Sequence, residues 1–125
     1  MDQVLFWIGR VLLGGFFLFS GLNHFIGLQN LSGYAASKGV PAPTLAVIVT
    51  GLLLAVGGLA ILFGRYVQIG LWALVIFFVF VTPWMHGFWS VQDPQQRMVE
   101  MSMFLKNVAL LGSVLLLLYF WKSQS

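Results

Sequence analysis

The chain contains no cysteine, which excludes disulfides, thiolate metal ligands, iron–sulfur clusters and dithiol redox chemistry built from its own residues. Charge is nearly as scarce. Only 7% of the 125 residues are Asp, Glu, Lys or Arg, against about 25% in an ordinary globular protein. With 60% of the chain hydrophobic, too little polar surface remains to cover a water-soluble core. Acidic residues are the rarest: three, against six basic ones, leave a formal charge of +3. That balance suits contact with anionic membrane lipids, and without a soluble basic domain nucleic acid is not an expected partner.

What the chain has is long apolar runs, at 4–26, 44–64, 67–86 and 100–121. Each meets the requirement of about 20 residues for crossing a hydrocarbon layer about 30 Å thick. Lipid offers the backbone no hydrogen-bond partners, so each run must satisfy itself as an α-helix, and none alternates in polarity as a barrel strand would. The expected fold is an all-α integral membrane protein, a four-transmembrane-helix bundle forming one domain over 1–125. The first run is expected to stay as a span. Its leader "MDQ" carries no basic residue, and its apolar stretch exceeds the roughly 7–15 residues of a signal core.

Four spans put both termini on one face, here called cis, together with "GRYVQ" (64–68); residues 27–43 and 87–99 lie on the opposite, trans, face. Tryptophan prefers membrane interfaces. Trp7, Trp72 and Trp121 fall toward cis, and Trp84 and Trp89 toward trans. Arg10, Arg65 and Lys122 on cis balance Lys38, Arg97 and Lys106 on trans, so basic residues discriminate weakly between the faces; the termini are placed on the cytoplasmic side.

Between spans 1 and 2, "LQNLSGYAASKGVPAP" places Leu28, Leu31, Tyr34 and Ala35 at helical spacing before Gly39 and Pro41. The segment reads either as a short interfacial helix stopped by a glycine cap or as a plain loop. Pro43 and Thr44 suit the start of span 2. Before span 4, Asp93 is placed to N-cap, Pro94 suits the first helical position and Gln96 a capping-box return. A helix from 94 to 121 would be about 42 Å long, so its first two turns should stand in the trans interface, tilt or bend. Gly51, Ala55 and Gly58, extended by Ala60 and Gly64, form a small-residue stripe on span 2, and Ala109 with Ser113 repeats it on span 4. Packing within one bundle is the preferred reading of this stripe over a dimer contact.

Both histidines reach the trans face: His24 ends "FLFSGLNH" and His86 ends "FVFVTPWMH". Each follows an F-x-F, a hint of a decayed parallel repeat. Pro83 lacks an N–H and frees the carbonyl of Val79, which Thr82 is placed to cover. On span 4, Gln96, Glu100, Met103 and Asn107 share a helical face. The trans end thus gathers Asn23, His24, His86, Glu100, Lys106 and Asn107. These groups read either as ordinary interfacial residues, with Lys106 snorkelling and Arg97–Glu100 an i,i+3 pair, or as a functional pocket.

The arginine early in span 1 with "GRVLLGGFFLFSGLNHF", the "GVPAP" before span 2, its "GLLLAVGG", a histidine closing span 3 and "KNVALLG" in span 4 together resemble the DoxX family. The resemblance covers essentially the whole chain and implies a four-helix bacterial inner (plasma) membrane protein. Some relatives are associated with quinone-linked sulfur oxidation, others with oxidative stress or with chaperone and cargo roles. Many relatives carry an acidic residue inside span 2 just before the double glycine, where this chain has Leu54, so a mechanism needing that acid is not expected here.

The expected function is a redox-associated accessory subunit with a quinone or lipophilic-molecule pocket at the trans end. Quinol oxidation releases protons, and histidine with a carboxylate partner suits their capture. His86 is the expected quinone-oxygen partner and Glu100 or His24 the proton acceptor. Asn107 and Trp84, with Lys106 and Asn23, would line the pocket. No covalently bound cofactor is expected, and the electrons would pass to a bound cofactor or a partner subunit. The alternative is a non-enzymatic membrane scaffold or chaperone, acting with a partner protein or as a homo-oligomer. A transporter is disfavoured because no span is broken midway by paired polar residues. Haem held by His24 and His86, or a soft metal ion held with Met85, Met98, Met101 and Met103, is set aside, since methionines beside a membrane more often serve packing.

Overall fold

The computed structural model describes residues 2–124, with the side chains of Asp2 and Lys122–Gln124 outside the description. Five α-helices follow in order: α1 (Asp2–Ile26), α2 (Leu28–Ser37), α3 (Pro43–Phe63), α4 (Val67–Met85) and α5 (Pro94–Gln124), with a 3-10 turn at Phe88–Ser90. Helices α1, α3, α4 and α5 are long and apolar enough to cross a membrane. They match the four runs read from the sequence, except that α5 begins at Pro94, ahead of its apolar run. The chain is a multi-pass membrane protein, and the segment between the first two spans is the helix α2.

The helix ends follow from local sequence. Gly39, at φ 78, takes the left-handed position after α2. Around it the N–H of Gly39 bonds the carbonyl of Ala36 at 3.0 Å and that of Val40 bonds Ala35 at 3.1 Å, the paired bonds of a Schellman stop. Pro43 opens α3, where its missing N–H costs nothing. Gly64, at φ 69, closes that helix. Arg10 reinforces the closure from α1, donating from Nε to the carbonyl of Ile61 and from Nη2 to that of Leu62, both at 2.9 Å. Two carbonyls left unpaired in a last helical turn thus meet a cation, which also opposes the negative end of the helix dipole.

Side-by-side packing runs from α1 to α3, α3 to α4 and α4 to α5, and α2 folds back on α3. Small residues set the closest approach. A Cβ added at Gly21 would lie 2.7 Å from the backbone nitrogen of Ala55 and 2.8 Å from the carbonyl of Gly51, and one at Gly51 would lie 2.7 Å from the Cβ of His24. Gly14 and Gly58 meet likewise one heptad further toward cis. Gly57 and Gly70 admit Leu74 and Ala60 on the other face of α3. The stripe on span 2 therefore packs inside the molecule on both sides. Its proposed continuation on span 4 does not: Ala109 is exposed, because α5 presents only one narrow face to the bundle. Phe17, Leu54, Ile61, Leu71, Leu74 and Val114 form the core, so Leu54 occupies a purely apolar setting.

Candidate functional trans site

The apolar run of α4 carries Pro83 in its last turn and stops at Met85, leaving His86 as its C-cap. Helix α5 starts after Asp93, whose carbonyl accepts from the N–H of Arg97 at 2.8 Å. Its second turn brings Glu100 back beside the end of α4. His86 Nδ1 lies 2.9 Å from Glu100 Oε2, and because a carboxylate only accepts, Nδ1 carries the hydrogen.

The other carboxylate oxygen faces α2. Tyr34 donates its hydroxyl hydrogen to Glu100 Oε1 at 3.0 Å, and Lys38 Nζ stands 4.0 Å from the same oxygen. Burial, followed by the hydrogen bond to Glu100 and its charge, pushes the Tyr34 phenol up to about 12. Three elements thus converge on one carboxylate. The Trp84 indole N–H also donates to the carbonyl of Lys38 at 3.1 Å, fastening the C-terminal end of α2 to α4.

Helix α2 also roofs a cavity of about 210 Å³ between α1, α3 and α4, lined among others by His24, Ala35, Thr50, Phe80, Trp84 and Met85. His24 Nδ1–H donates to the carbonyl of Ser20, one turn earlier, at 2.8 Å, and its ring meets Phe77 edge-on with centroids 6.3 Å apart. Cavity and carboxylate are joined through two shared pieces: the Trp84–Met85–His86 stretch and helix α2, whose Ala35 lines one and whose Tyr34 binds the other.

The structure thus brings His86 and Glu100 into contact and sets His24 with Trp84 around the cavity. Other residues grouped with them in the sequence lie apart. Lys106 is exposed and directs its ammonium over the Phe16 ring of α1, 5.9 Å from the centroid. Asn107 is buried, two helical turns below Glu100, and Asn23 is exposed. Two expectations need correction. Arg97 forms no ion pair with Glu100 among the described residues, because the carboxylate turns inward to donors on α2 and α4. Thr82 does not cover a backbone carbonyl: its hydroxyl is buried without a partner on the packed face of α4.

Tyr34, Lys38 and Thr50 escaped the sequence reading. Tyr34 had been placed in an apolar stripe and Lys38 counted only as a loop charge. Thr50, the one hydroxyl within the apolar stretch 45–63, was a signal that could have been used.

A second apolar cleft, of about 350 Å³, opens at the cis end between α1 and α5. Its polar side chains are committed elsewhere, Ser113 to the carbonyl of Leu110 at 2.7 Å and Arg10 to the end of α3. No titratable proton acceptor lines it. Among the described residues no three His, Asp or Glu side chains cluster as metal ligands.

The family model for DoxX matches residues 5–87, a stretch that holds α1 to α4 with His24, Tyr34, Lys38, Trp84 and His86, and leaves Glu100 outside it. No curated protein and no solved structure matches the chain.

Proposed function

The chain belongs to the DoxX family, and on that footing we propose that it is a redox-associated accessory subunit of the bacterial inner membrane, binding a quinone-class lipophile at its trans end. The observation that carries this reading is the apolar cavity lined by His24, which shares its roof with the His86–Glu100 pair. A lipophile from the bilayer loses little on entering apolar walls, while a histidine there supplies a proton acceptor.

The cavity fits the ring of such a molecule in its chemistry: aromatic walls from Phe80 and Trp84, aliphatic ends, and one imidazole. Oxidation of a quinol releases two electrons and two protons. On this reading His24 takes a proton at Nε2, and the His86–Glu100 pair, which joins the end of α4 to α5 and is braced by Tyr34 of α2, passes protons outward. The electrons go to a redox centre on a partner subunit, since this cysteine-free chain offers no thiolate-ligated centre.

Binding of a short-tailed hydroquinone, kept reduced, to protein in lipid nanodiscs, followed by quenching of tryptophan fluorescence, tests the reading. Ala46→Phe, which fills the cavity from α3, is expected to weaken binding at least tenfold. Equal binding by parent and variant would remove the cavity from the account.

The alternative, a non-enzymatic scaffold or chaperone for a partner complex, has its own support in α5. That helix leaves Leu105, Val108, Leu115 and Leu116 exposed along its length, and a Cβ at Gly112 would meet nothing, so a second helix has room to lie close against it. Cross-linking from introduced cysteines on this face, in native membranes, distinguishes a protein neighbour from lipid.

A further inference from the structure

The polar groups around the trans cavity share one property. Every side-chain donor among them is already used by a backbone carbonyl. His24 Nδ1–H is held by Ser20 at 2.8 Å. The Thr50 hydroxyl donates to the carbonyl of Ala46 at 2.8 Å, with that of Val47 at 3.1 Å. The Trp84 indole N–H is held by Lys38 at 3.1 Å. What these side chains still offer is acceptors: Nε2 of His24 when its ring is uncharged, and the remaining lone pairs of Thr50 Oγ1. The other lining side chains are hydrocarbon, apart from the thioether of Met85, itself only a weak acceptor.

From this one-sided set we infer that the cavity selects lipophiles carrying a hydroxyl hydrogen, such as a phenol or the hydroquinone form of a quinone, over the same skeleton without one. The inference rests on the reading that this cavity takes a quinone-class molecule and specifies which redox form binds. A quinone carbonyl brings only acceptors, so it faces lone pairs with lone pairs and forfeits the water hydrogen bonds it leaves behind. A hydroxyl brings the one group that the cavity lacks. Its hydrogen bond to Nε2 is braced through the ring, because the far nitrogen is already fixed by Ser20, which sets both tautomer and orientation. In an apolar surround a missing partner is expensive to leave missing, so the preference should be large.

The test compares a long-chain para-alkylphenol with its methyl ether, molecules of matched shape of which only the first donates. Their dissociation constants come from ligand-induced stabilisation of the detergent-solubilised protein, in mildly alkaline buffer. The parent protein should bind the phenol about tenfold or more tightly than the ether, and His24→Phe should abolish the difference. Because the comparison on the parent needs no variant, it stands even where His24→Phe folds poorly against Gly51. Equal binding of phenol and ether, both weakened by Ala46→Phe, would overturn the donor preference and leave the cavity reading intact. Binding of both that is indifferent to Ala46→Phe would overturn the cavity reading itself, and the preference with it.

Discussion

At the scale of single residues the site turns on Glu100. One of its oxygens serves the end of α4 through His86, and the other serves α2 through Tyr34 and Lys38. Lys38 at 4.0 Å is a partly exposed ion-pair partner and contributes little; the two short hydrogen bonds do most of the holding. The Tyr34 phenol reports on the arrangement. Its folded-state pKa of about 12 lies above the ordinary 10.0, so its contribution to stability is complete below pH 10 and is lost as the pH rises through about 12. Glu100→Gln removes the charge while burial persists, so Tyr34 should ionise at lower pH than in the parent but still above the ordinary range. Alkaline titration of phenolate absorbance, as the difference between each protein and its Tyr34→Phe counterpart, measures this. An unchanged titration would mean that Tyr34 and Glu100 do not meet. The sequence hinted at the His86–Glu100 contact, since a histidine ending an apolar run gains most from a polar partner on the adjoining span. It gave no such hint for Tyr34, whose amphipathic ring is as well suited to the headgroup layer as to a carboxylate.

At the scale of helices the decisive contact is α1 against α3, where glycines on each backbone receive the other. Without a hydrophobic driving force between helices in lipid, such close contact is what holds a bundle together. Gly21→Ala and Gly51→Ala should each lower stability by about 1–3 kcal/mol, the usual cost of overpacking. Gly15→Ala and Gly112→Ala, where a Cβ would meet nothing, should be neutral or stabilising by up to about 1 kcal/mol. Thermal unfolding in detergent separates the two groups, and equal effects would contradict the packing described. Arg10→Met, which strips the end of α3 of its two carbonyl bonds, should cost about 2 kcal/mol in the same assay. The half of this contact on α3 was legible as a small-residue stripe; the half on α1 was not. Gly14 and Gly21 lie a heptad apart in a span with other glycines, and only the three-dimensional pairing shows which of them are used. Arg10 likewise read as one more interfacial cation, because its partners are backbone atoms about fifty residues away.

At the scale of the whole molecule, hydropathy and helix caps were enough to draw the architecture, since a bilayer leaves the backbone few choices. The spans read from the sequence and the helices observed agree within a few residues, except that α5 begins at Pro94 rather than where its apolar run begins. The topology makes its own prediction: cysteines introduced at positions 38 and 65, in a chain that has none, should be labelled from opposite sides of sealed vesicles. What hydropathy could not show is which of the apolar hollows matters, because a cavity is a property of several helices at once. The central claim is that the trans cavity, and not the larger cis cleft, takes a quinone-class lipophile. Photo-cross-linking with a ring-tagged hydroquinone, kept reduced, in native membranes, followed by mapping of the modified peptides, tests this most directly. The account predicts attachment to the Phe80–Met85 stretch of α4 or to α2, lost in Ala46→Phe; attachment around Phe6, Leu117 and Phe120 at the cis end, unaffected by that substitution, would contradict it.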